Sequence, residues 1–280
     1  MNVQTALALS SLIRHSDTAD VDAKWLLCKV LDRSPSSITS WSDFELTPAQ
    51  VDRFAAMLVR RIKGEPVAYI RGDQGFWSLE LEVDPTTLIP RPDTELLVEQ
   101  ALATKYSPEQ PIKVLDLGTG TGAIALSVAV ERPKWQVLGV DRVVDAVQLA
   151  KRNAVLNNIS NAEFKTGHWF ENIESTFELI VSNPPYISAN DPHLQQGDVV
   201  FEPSSALVSA QDGLEDIMTI VSQAPRFLKR GGMLMLEHGY DQGERVRQIF
   251  LDHRFQSVET IKDYGGCDRV TLGTFTEAKS

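Results

Sequence analysis

Short apolar runs alternate with longer amphipathic segments along the chain beyond residue 112. The short runs predict β-strands, and apolar residues at helical spacing predict α-helices. The predicted strands are 112–116, 135–140, 162–166, 177–182, 231–237, 255–261 and 268–275, and the predicted helices are 122–131, 143–157, 213–228 and 241–252. This alternation predicts an α/β fold with a doubly wound sheet and right-handed crossovers.

The first 75 residues show helical periodicity instead. Thr47-Pro48 predicts a helix N-cap followed by proline at the first helical position, and apolar positions further upstream predict two earlier helices. Alternating apolar residues between 76 and 90, with Asp84-Pro85 as the turn, predict a β-hairpin. The predicted organisation is a helical domain at 1–75, a hairpin linker at 76–90 and a larger α/β domain at 91–280.

The composition is that of a globular protein with a substantial core. The chain has 280 residues, of which 42% are hydrophobic and 23% charged. No apolar run approaches the roughly 20 residues of a membrane span, and the N-terminus lacks the basic segment of a secretory signal. Cys28 and Cys267 have no metal-binding spacing, and the five histidines form no clustered ligand pair. We therefore expect a cytoplasmic protein without membrane contact or metal.

The net charge of −11 lies in the second part of the chain. Residues 1–75 carry 9 Lys/Arg and 9 Asp/Glu, so residues 76–280 carry the remaining 18 and 29. A protein that binds duplex nucleic acid needs clustered basic residues to neutralise phosphates. The nearest such group, Arg60-Arg61-x-Lys63, is placed to interact with the dipole at the end of a helix. Stable nucleic-acid binding is therefore not expected.

A glycine-rich loop follows the first predicted strand of the larger domain. Asp116-Leu117 leads into Gly118-Thr119-Gly120-Thr121-Gly122, and an alanine-rich helix comes next. Glycines allow close backbone approach to a ligand, and the start of a helix offers free N–H groups suited to a carboxylate. The spacing is neither that of dinucleotide-binding loops nor that of a P-loop. A structural turn without a ligand is the alternative interpretation.

A second acid lies at the end of the next predicted strand. Asp141 follows the apolar run 135–140, roughly 20 residues past the glycines, where a carboxylate can accept hydrogen bonds from ribose hydroxyls. Asp is also a good N-cap, and a helix is predicted from residue 143. The two roles are compatible.

The segment Asn183-Pro184-Pro185-Tyr186 follows the predicted strand 177–182. Two consecutive prolines cannot continue a sheet ladder, so the chain must turn there. Such a turn can present an Asn amide, a Pro carbonyl and a Tyr ring to one pocket, which suits a planar –NH2 group. An ordinary proline turn is the alternative interpretation. The long irregular segment 187–212 is expected to form a wall of the pocket.

Together, the glycine loop, Asp141 and the Asn-Pro-Pro-Tyr turn resemble the class I methyltransferases that use S-adenosylmethionine. The similarity covers about residues 112–275. It implies a Rossmann-like sheet, a loop at Gly118–Gly122 that holds the amino acid end of the cofactor, and Asp141 on its ribose. It also implies S-adenosyl-L-homocysteine as the product, with Asn183 close to both the cofactor and the nitrogen that is methylated.

Further segments resemble one group within this family, the bacterial release-factor glutamine N5-methyltransferases. These segments are Ile89-Pro-Arg-Pro-Asp-Thr-Glu95, Glu202-Pro203 with Ala206-Leu207, Asp212-Gly213-Leu214, Glu237-His238-Gly239 and Asp263-Tyr264-Gly265. The resemblance covers essentially the full length. It implies that the substrate is the glutamine of the Gly-Gly-Gln loop of class 1 peptide chain release factors.

The resemblance also implies roles for individual residues. Asn183 and the Pro184 carbonyl are expected to hold the glutamine amide as catalytic contacts, with Pro185 beside them and Tyr186 packed against the amide. Trp169 stands where the family places a residue against the adenine, and a core aromatic is the equal alternative.

Arg91 and Glu95 lie in a segment that flanks the pocket in this family. The helical domain is the expected docking site for the release factor.

Three other functions remain open at this point. An adenine-N6 methyltransferase uses the same four-residue motif, but the acidic charge and the lack of a target-recognition insert argue against it. A related enzyme that methylates a ribosomal-protein glutamine is expected to carry Pro-Arg-Ser-Pro where this chain has Pro-Arg-Pro-Asp-Thr-Glu. A catalytically inactive fold used as a binding module is disfavoured by the intact glycines, Asp141 and Asn183.

Overall fold

The computed structural model describes residues 1–276. Its contacts divide these residues into two compact units. The first unit joins Met1–Asp73 to the distant segment Pro192–Phe201, and the second contains the other described residues. The place of Pro192–Phe201 in the first unit was not predicted, because no periodicity relates an irregular loop to helices far upstream.

Helices form most of the first unit. They are α1 (Val3–Ala8), α2 (Ala19–Leu31), α3 (Pro35–Ile38), α4 (Pro48–Ile62) and α5 (Val67–Arg71). The predicted N-cap of α4 is confirmed, because the Thr47 hydroxyl accepts a hydrogen bond from Gln50 N at 3.3 Å. The Gln50 side chain accepts one from Thr47 N at 2.9 Å in return. This reciprocal pair satisfies N–H groups that the first helical turn leaves free.

The basic residues at the end of α4 are engaged inside the first unit. The buried Arg61 guanidinium donates to Asp22 Oδ2 at 2.8 Å and to Asp198 Oδ1 at 2.9 Å. Arg60 pairs with Glu65 at 2.5 Å. Acidic neighbours thus occupy Arg60 and Arg61, which do not form an exposed phosphate-binding pair. The Asp198 contact also fastens the segment Pro192–Phe201 to the helices.

A two-stranded sheet marks the start of the second unit. Its strands are β1 (Asp73–Phe76) and β2 (Leu79–Glu82). The predicted hairpin is confirmed, but its turn was assigned wrongly. The connection lies at Trp77 and Ser78, whereas Asp84-Pro85 comes after β2. Trp77 has φ of +57°, which two-residue hairpin connections commonly require.

A larger mixed sheet forms the centre of the second unit. Its strands are β3 (Lys113–Leu117), β4 (Gln136–Asp141), β5 (Ala162–Thr166), β6 (Phe177–Ser182), β7 (Leu228–Glu237), β8 (Phe255–Lys262) and β9 (Asp268–Phe275). Within residues 1–276 it has seven strands in the order β5-β4-β3-β6-β7-β9-β8. The strands from β5 to β7 run parallel, whereas β9 is antiparallel to both neighbours.

Helices cover both faces of this sheet, which confirms the doubly wound fold. They are α6 (Glu95–Leu102), α7 (Ala123–Glu131), α8 (Val144–Leu156), α9 (Ala210–Gly213), α10 (Glu215–Gln223) and α11 (Gly243–Asp252). Val114 and Leu179 pack with residues of α6, α7 and α8. Leu115 and Ile180 pack with residues of α10 and α11. The two-residue period of the strands thus divides their apolar side chains between two cores.

The predicted helix 213–228 is wrong at both ends. Gly213 ends the short helix α9 with φ of +82°, a left-handed conformation that interrupts the helix, so α10 begins only at Glu215. The helix ends at Gln223, before a short 3₁₀ turn that contains Pro225. Strand β7 starts at Leu228 and not at residue 231 as predicted, because Leu228 pairs with Phe177 of β6.

Asn153 of α8 and Asn157, the C-cap residue of the same helix, bind the hairpin strand β2 in the same way. Asn153 is fully buried; its Oδ1 accepts from Glu82 N at 2.7 Å, and its Nδ2 donates to Glu82 O at 3.0 Å and to Thr121 O at 2.9 Å. The half-buried Asn157 makes the equivalent pair with Glu80 at 3.4 and 2.9 Å. The buried Asn153 therefore links β2 to the glycine loop through hydrogen bonds to both.

We predict that Asn153→Ala lowers the free energy of unfolding by roughly 2–3 kcal/mol, because it leaves buried backbone groups without partners. The matched change Asn157→Ala, where water can replace the lost bonds, should cost less than about 1 kcal/mol. Urea unfolding of both variants measures the difference. Equal losses would show that burial of Asn153 adds nothing.

Candidate active site

Three predicted motifs meet at one edge of the larger sheet. Strands β4, β3 and β6 are parallel neighbours, so their carboxyl ends lie side by side. A pocket opens at this edge. The predicted site residues that line it are Gly118, Thr119, Gly120, Thr121, Asp141, Trp169, Asn183 and Pro185.

Gly122, Pro184 and Tyr186 do not line this pocket. Gly122 has φ of +83°, and a Cβ there would lie 3.1 Å from Leu126 and 3.2 Å from Ala150. The absence of a Cβ at Gly122 therefore allows α7 to pack closely against Ala150 of α8, so the role of this glycine is structural. Pro184 is buried, and the half-buried Tyr186 packs against the apolar core on the α10 side of the sheet.

Gly118 shapes the pocket directly. Its φ of +70° is a left-handed conformation, and its N–H donates to Val140 O at 2.8 Å. A Cβ at this position would lie 3.4 Å from Trp169 Cζ3. The missing side chain thus keeps space between the loop and the indole ring.

Asp116 lies beneath the glycine loop and is completely buried. Burial raises the pKa of its carboxyl to about 7, although a hydrogen bond from the Thr119 hydroxyl opposes the shift. That hydroxyl donates to Asp116 Oδ2 at 2.6 Å. Asp116 therefore stabilises the glycine loop by accepting this hydrogen bond.

Asp141 holds the loop from the neighbouring strand. Its Oδ2 accepts from Gly120 N at 2.9 Å, and its Oδ1 accepts from Val143 N at 2.9 Å. The alternative of a helix N-cap is wrong, because α8 begins at Val144 with Val143 in the N-cap position. Each carboxylate oxygen can accept a further hydrogen bond, and Asp141 lines the pocket.

Trp169 follows β5 and has φ of +52°, an uncommon conformation for a bulky residue. It is only 8% exposed and packs in the apolar core, yet it also lines the pocket. Its indole Nε1 is buried without a hydrogen-bond partner among residues 1–276. A buried donor of this kind is costly unless a ligand satisfies it.

The Asn183 turn is held by Thr94 and Glu237, which lie in two of the segments that resemble the family but for which no role was predicted. Asn183 Nδ2 donates to Thr94 Oγ1 at 3.1 Å, and the Tyr186 hydroxyl donates to Glu237 Oε1 at 3.3 Å. Glu237 is 1% exposed and ends β7. Its position could have been a signal, because it is an acid at the end of an apolar strand, as Asp141 is.

Arg91 and Glu95 have different surroundings. Arg91 lines the pocket and donates to Glu202 Oε2 at 2.6 Å, while Glu202 Oε1 accepts from Ile89 N at 3.1 Å. Glu95 instead accepts from Trp77 N at 2.9 Å and so supports the β1–β2 turn. Arg91 therefore contributes to the pocket wall, whereas Glu95 does not line it.

Part of the long segment after the proline turn lines the pocket. Ser205 and Ala206 lie on its wall, and Arg142 donates to Ser205 O at 3.0 Å. The middle of the segment, Pro192–Phe201, belongs to the first unit. The predicted wall is thus formed by the end of the segment rather than by its whole length.

The pocket fits the nucleoside and amino acid parts of S-adenosylmethionine. A loop with glycine at alternate positions lies beside an acid that retains acceptor capacity and a buried indole N–H that lacks a partner among residues 1–276. These groups suit backbone contacts to an amino acid end, ribose hydroxyls and a heteroaromatic base, respectively. In the part of the chain that the structure describes, no cluster of His, Cys, Asp or Glu could hold a metal ion. No helix among these residues has the length and apolar character for a membrane span.

Comparisons with protein families support this assignment for both parts of the chain. Residues 108–264 match the family described as a methyltransferase domain, and residues 6–72 match the PrmC N-terminal domain. The chain is similar to a protein of Aliivibrio fischeri named release factor glutamine methyltransferase, with 52% identity over 94% of this chain and 93% of that protein.

A protein of Pseudomonas aeruginosa with the same name is 51% identical over 98% of this chain and 99% of that protein. The fold also resembles that of a methyltransferase from Pyrococcus furiosus, at 20% identity and a TM-score of 0.55 over 80% of this chain and 100% of that one. The cofactor of the methyltransferase domain is S-adenosylmethionine.

We predict that Asp141→Asn weakens S-adenosylmethionine binding about 10- to 100-fold. The substitution removes the charge and places an NH2 group against one of two backbone donors, which costs roughly 1.5–3 kcal/mol. Titration calorimetry of the folded protein measures the dissociation constant.

Asp145→Asn, an exposed change in the first turn of α8, is the matched control and should leave binding unchanged. Equal affinity of the Asp141 variant and the wild type would argue against a cofactor contact at this carboxylate.

Proposed function

The chain belongs to the family of the release factor glutamine methyltransferases, and we propose that it methylates the glutamine of the Gly-Gly-Gln motif in class 1 peptide chain release factors. The methyl group is transferred from S-adenosylmethionine to the side-chain amide nitrogen. The observation that carries this proposal is the Asn183 side chain, which lines the pocket beside the glycine loop. Because such release factors act in translation termination, we place the enzyme in the cytoplasm.

The cofactor side of the pocket is assigned to the first two motifs. S-adenosylmethionine, when bound, supplies an activated methyl group on a sulfonium. The loop Gly118–Gly122 would hold the amino acid end with backbone N–H groups, and Asp141 would accept from the ribose. The buried Trp169 N–H would find its partner there. These roles require positioning rather than acid–base chemistry.

The substrate side is assigned to the proline turn. Asn183 already uses its NH2 group on Thr94, so its Oδ1 is the atom available to the pocket. An amide oxygen accepts hydrogen bonds and would hold one hydrogen of the glutamine NH2 group. The carbonyl of Pro184, the next residue of the turn, would accept the second hydrogen, although Pro184 itself does not line the pocket described above. Pro185, which lines it, would complete the turn. Two acceptors raise electron density on a nitrogen that is a weak nucleophile.

We assign Tyr186 no role in proton transfer; its ring packs against the apolar core beside the turn. Burial raises the pKa of its phenol, and the nearby Glu237 charge raises it further. The hydroxyl therefore stays protonated near neutral pH and donates to Glu237. After methyl transfer the nitrogen is strongly acidic, so its proton can leave without a dedicated base.

The first unit is proposed to dock the release factor. It folds around its own apolar core and presents exposed apolar side chains on α2, among them Val21 and Trp25 at 51% and 37% exposure. Exposed apolar side chains of this kind suit contact with a folded protein.

Methyl transfer from labelled S-adenosylmethionine to purified release factor tests the proposal. The matched control is a release factor with Gln→Ala in its Gly-Gly-Gln loop, and DNA and ribosomes are offered in parallel. Label on the wild-type release factor alone supports the proposal. Label on DNA or on the ribosome, with none on the release factor, would overturn the assigned substrate.

We predict that Asn183→Ala lowers kcat about 100-fold while KM for the release factor changes less than about threefold. The lost oxygen aligns the reacting nitrogen, and such contacts act mostly in the transition state. Steady-state kinetics on the release factor measures both constants.

Asn190→Ala, an exposed asparagine in the following segment, serves as the control and should match the wild type. An Asn183 variant with normal kcat and a raised KM would contradict the role in alignment.

A further inference from the structure

A buried carboxyl lies directly behind the Asn183 turn. Glu237 is the last residue of β7, and its neighbour Leu236 pairs with Ser182, the last residue of β6. The parallel register therefore places Glu237 next to the residue that starts the turn. Its side chain is almost completely buried, and the motif analysis assigned it no role.

Two residues of the turn are tied to this carboxyl, one directly and one through Thr94. The Tyr186 hydroxyl donates to Glu237 Oε1 at 3.3 Å. Asn183 Nδ2 donates to Thr94 Oγ1 at 3.1 Å. The Thr94 hydroxyl is close enough to Glu237 to favour the charged form of the carboxylate and so to lower its pKa. Glu237 Oε2 is buried and has no hydrogen-bond partner within residues 1–276, which leaves it as an acceptor for the single hydroxyl hydrogen of Thr94.

The direction of the hydrogen bonds from Asn183 through Thr94 to Glu237 follows from the number of hydrogens that each group can donate. A threonine hydroxyl has one hydrogen, so Thr94 can accept from Asn183 and donate to one acceptor. A carboxylate can only accept. With Glu237 charged, every hydrogen points toward it, and Asn183 must turn its NH2 group to Thr94. The Oδ1 atom of Asn183 is then left for the substrate.

On the basis of the proposed function, we propose that Glu237 is a positioning residue that fixes the orientation of the Asn183 amide through Thr94. The reverse orientation would present an NH2 group to the NH2 group of the glutamine, where two sets of donors face each other. The buried Glu237 carboxylate thus determines whether Asn183 presents an oxygen or an NH2 group to the reacting nitrogen.

Charged groups around Glu237 make this orientation sensitive to pH. The pKa of Glu237 is raised to about 7, mainly by burial and to a smaller extent by Asp93, whereas Thr94, Arg269 and Tyr186 oppose the rise. The adjacent His238 is buried, and burial lowers its pKa, so it adds no positive charge near neutral pH. Protonated Glu237 can donate a hydrogen bond to Thr94. The direction of the hydrogen bonds then reverses, and the Asn183 amide is free to rotate. Activity should therefore fall as the pH drops through about 7.

The test is the pH profile of kcat for wild type and Glu237→Gln, with release factor and S-adenosylmethionine saturating. Glutamine keeps the shape but offers one acceptor oxygen where two donors need acceptors. The expected result is a wild-type kcat that falls below about pH 7. For Glu237→Gln we expect a kcat about 10-fold lower at pH 8, with no such fall and an unchanged KM for the release factor.

Thr94→Val provides a second, independent variant. It removes the hydroxyl and keeps the branched shape, so kcat and its pH dependence should change as in Glu237→Gln. Thr94→Ser restores the hydroxyl and should restore both. Glu178→Gln, at the opposite end of the same sheet, removes a carboxylate that accepts from Lys113 N and pairs with Lys229. This control should leave the pH profile of kcat unchanged.

Stability gives a readout that does not depend on activity. Because the pKa of Glu237 is raised in the folded state, wild-type stability falls as pH rises from 4.5 to about 7. Glu237→Gln should lose this part of the pH dependence in urea unfolding. A normal unfolding transition and unchanged binding of S-adenosylhomocysteine show that the variant is folded.

Each outcome separates the two proposals. Failure of the wild type to label the release factor would remove the proposed function. A labelled release factor together with a Glu237→Gln variant that keeps the wild-type kcat and pH profile would overturn the positioning role. In that case the fall below pH 7 belongs to another group, of which Asp116 is the first to test.

Discussion

The register between parallel strands is the constraint on which the site depends. Leu117 at the end of β3 pairs with Val140 on one side and with Ser182 on the other, and Ser182 pairs with Leu236. These pairings bring the residues that follow each strand to one edge at fixed spacing. A shift of one residue in any strand would turn its side chains to the opposite face of the sheet. The glycine loop, Asp141, Asn183 and Glu237 meet only because this register is kept.

Two buried acids at this edge show that the site is maintained at a cost in stability. Burial raises the pKa of both Asp116 and Glu237 to about 7, from ordinary values of 3.8 and 4.5. The folded protein therefore holds these protons more tightly than the unfolded chain does. The contribution of these two acids to stability is largest below their ordinary pKa values and is lost as pH rises through about 7. An apolar residue would avoid this loss, but it could not brace the loop or orient the turn.

Local patterns predicted the parts of the site that lie within one strand–loop unit. Gly118, Gly120 and Asp141 could be placed because apolar strands precede them and their chemistry is local. Glu237 and Thr94 could not, because their role depends on contacts between residues far apart in sequence. The same reason explains the loop 192–201, which is tied to the helical unit by Asp198 and Arg61. The helix end at Gln223 was missed because the apolar pattern continued past Pro225.

In the proposed function, Asn183 offers its side-chain oxygen to the amide that is methylated. A crystal structure of the protein with S-adenosylhomocysteine and a peptide that contains Gly-Gly-Gln tests it most directly. We expect the glutamine side-chain nitrogen within hydrogen-bond distance of Asn183 Oδ1 and of the Pro184 carbonyl, with Asn183 Nδ2 still on Thr94. A glutamine amide bound elsewhere, or Asn183 with its NH2 group toward the peptide, would contradict it.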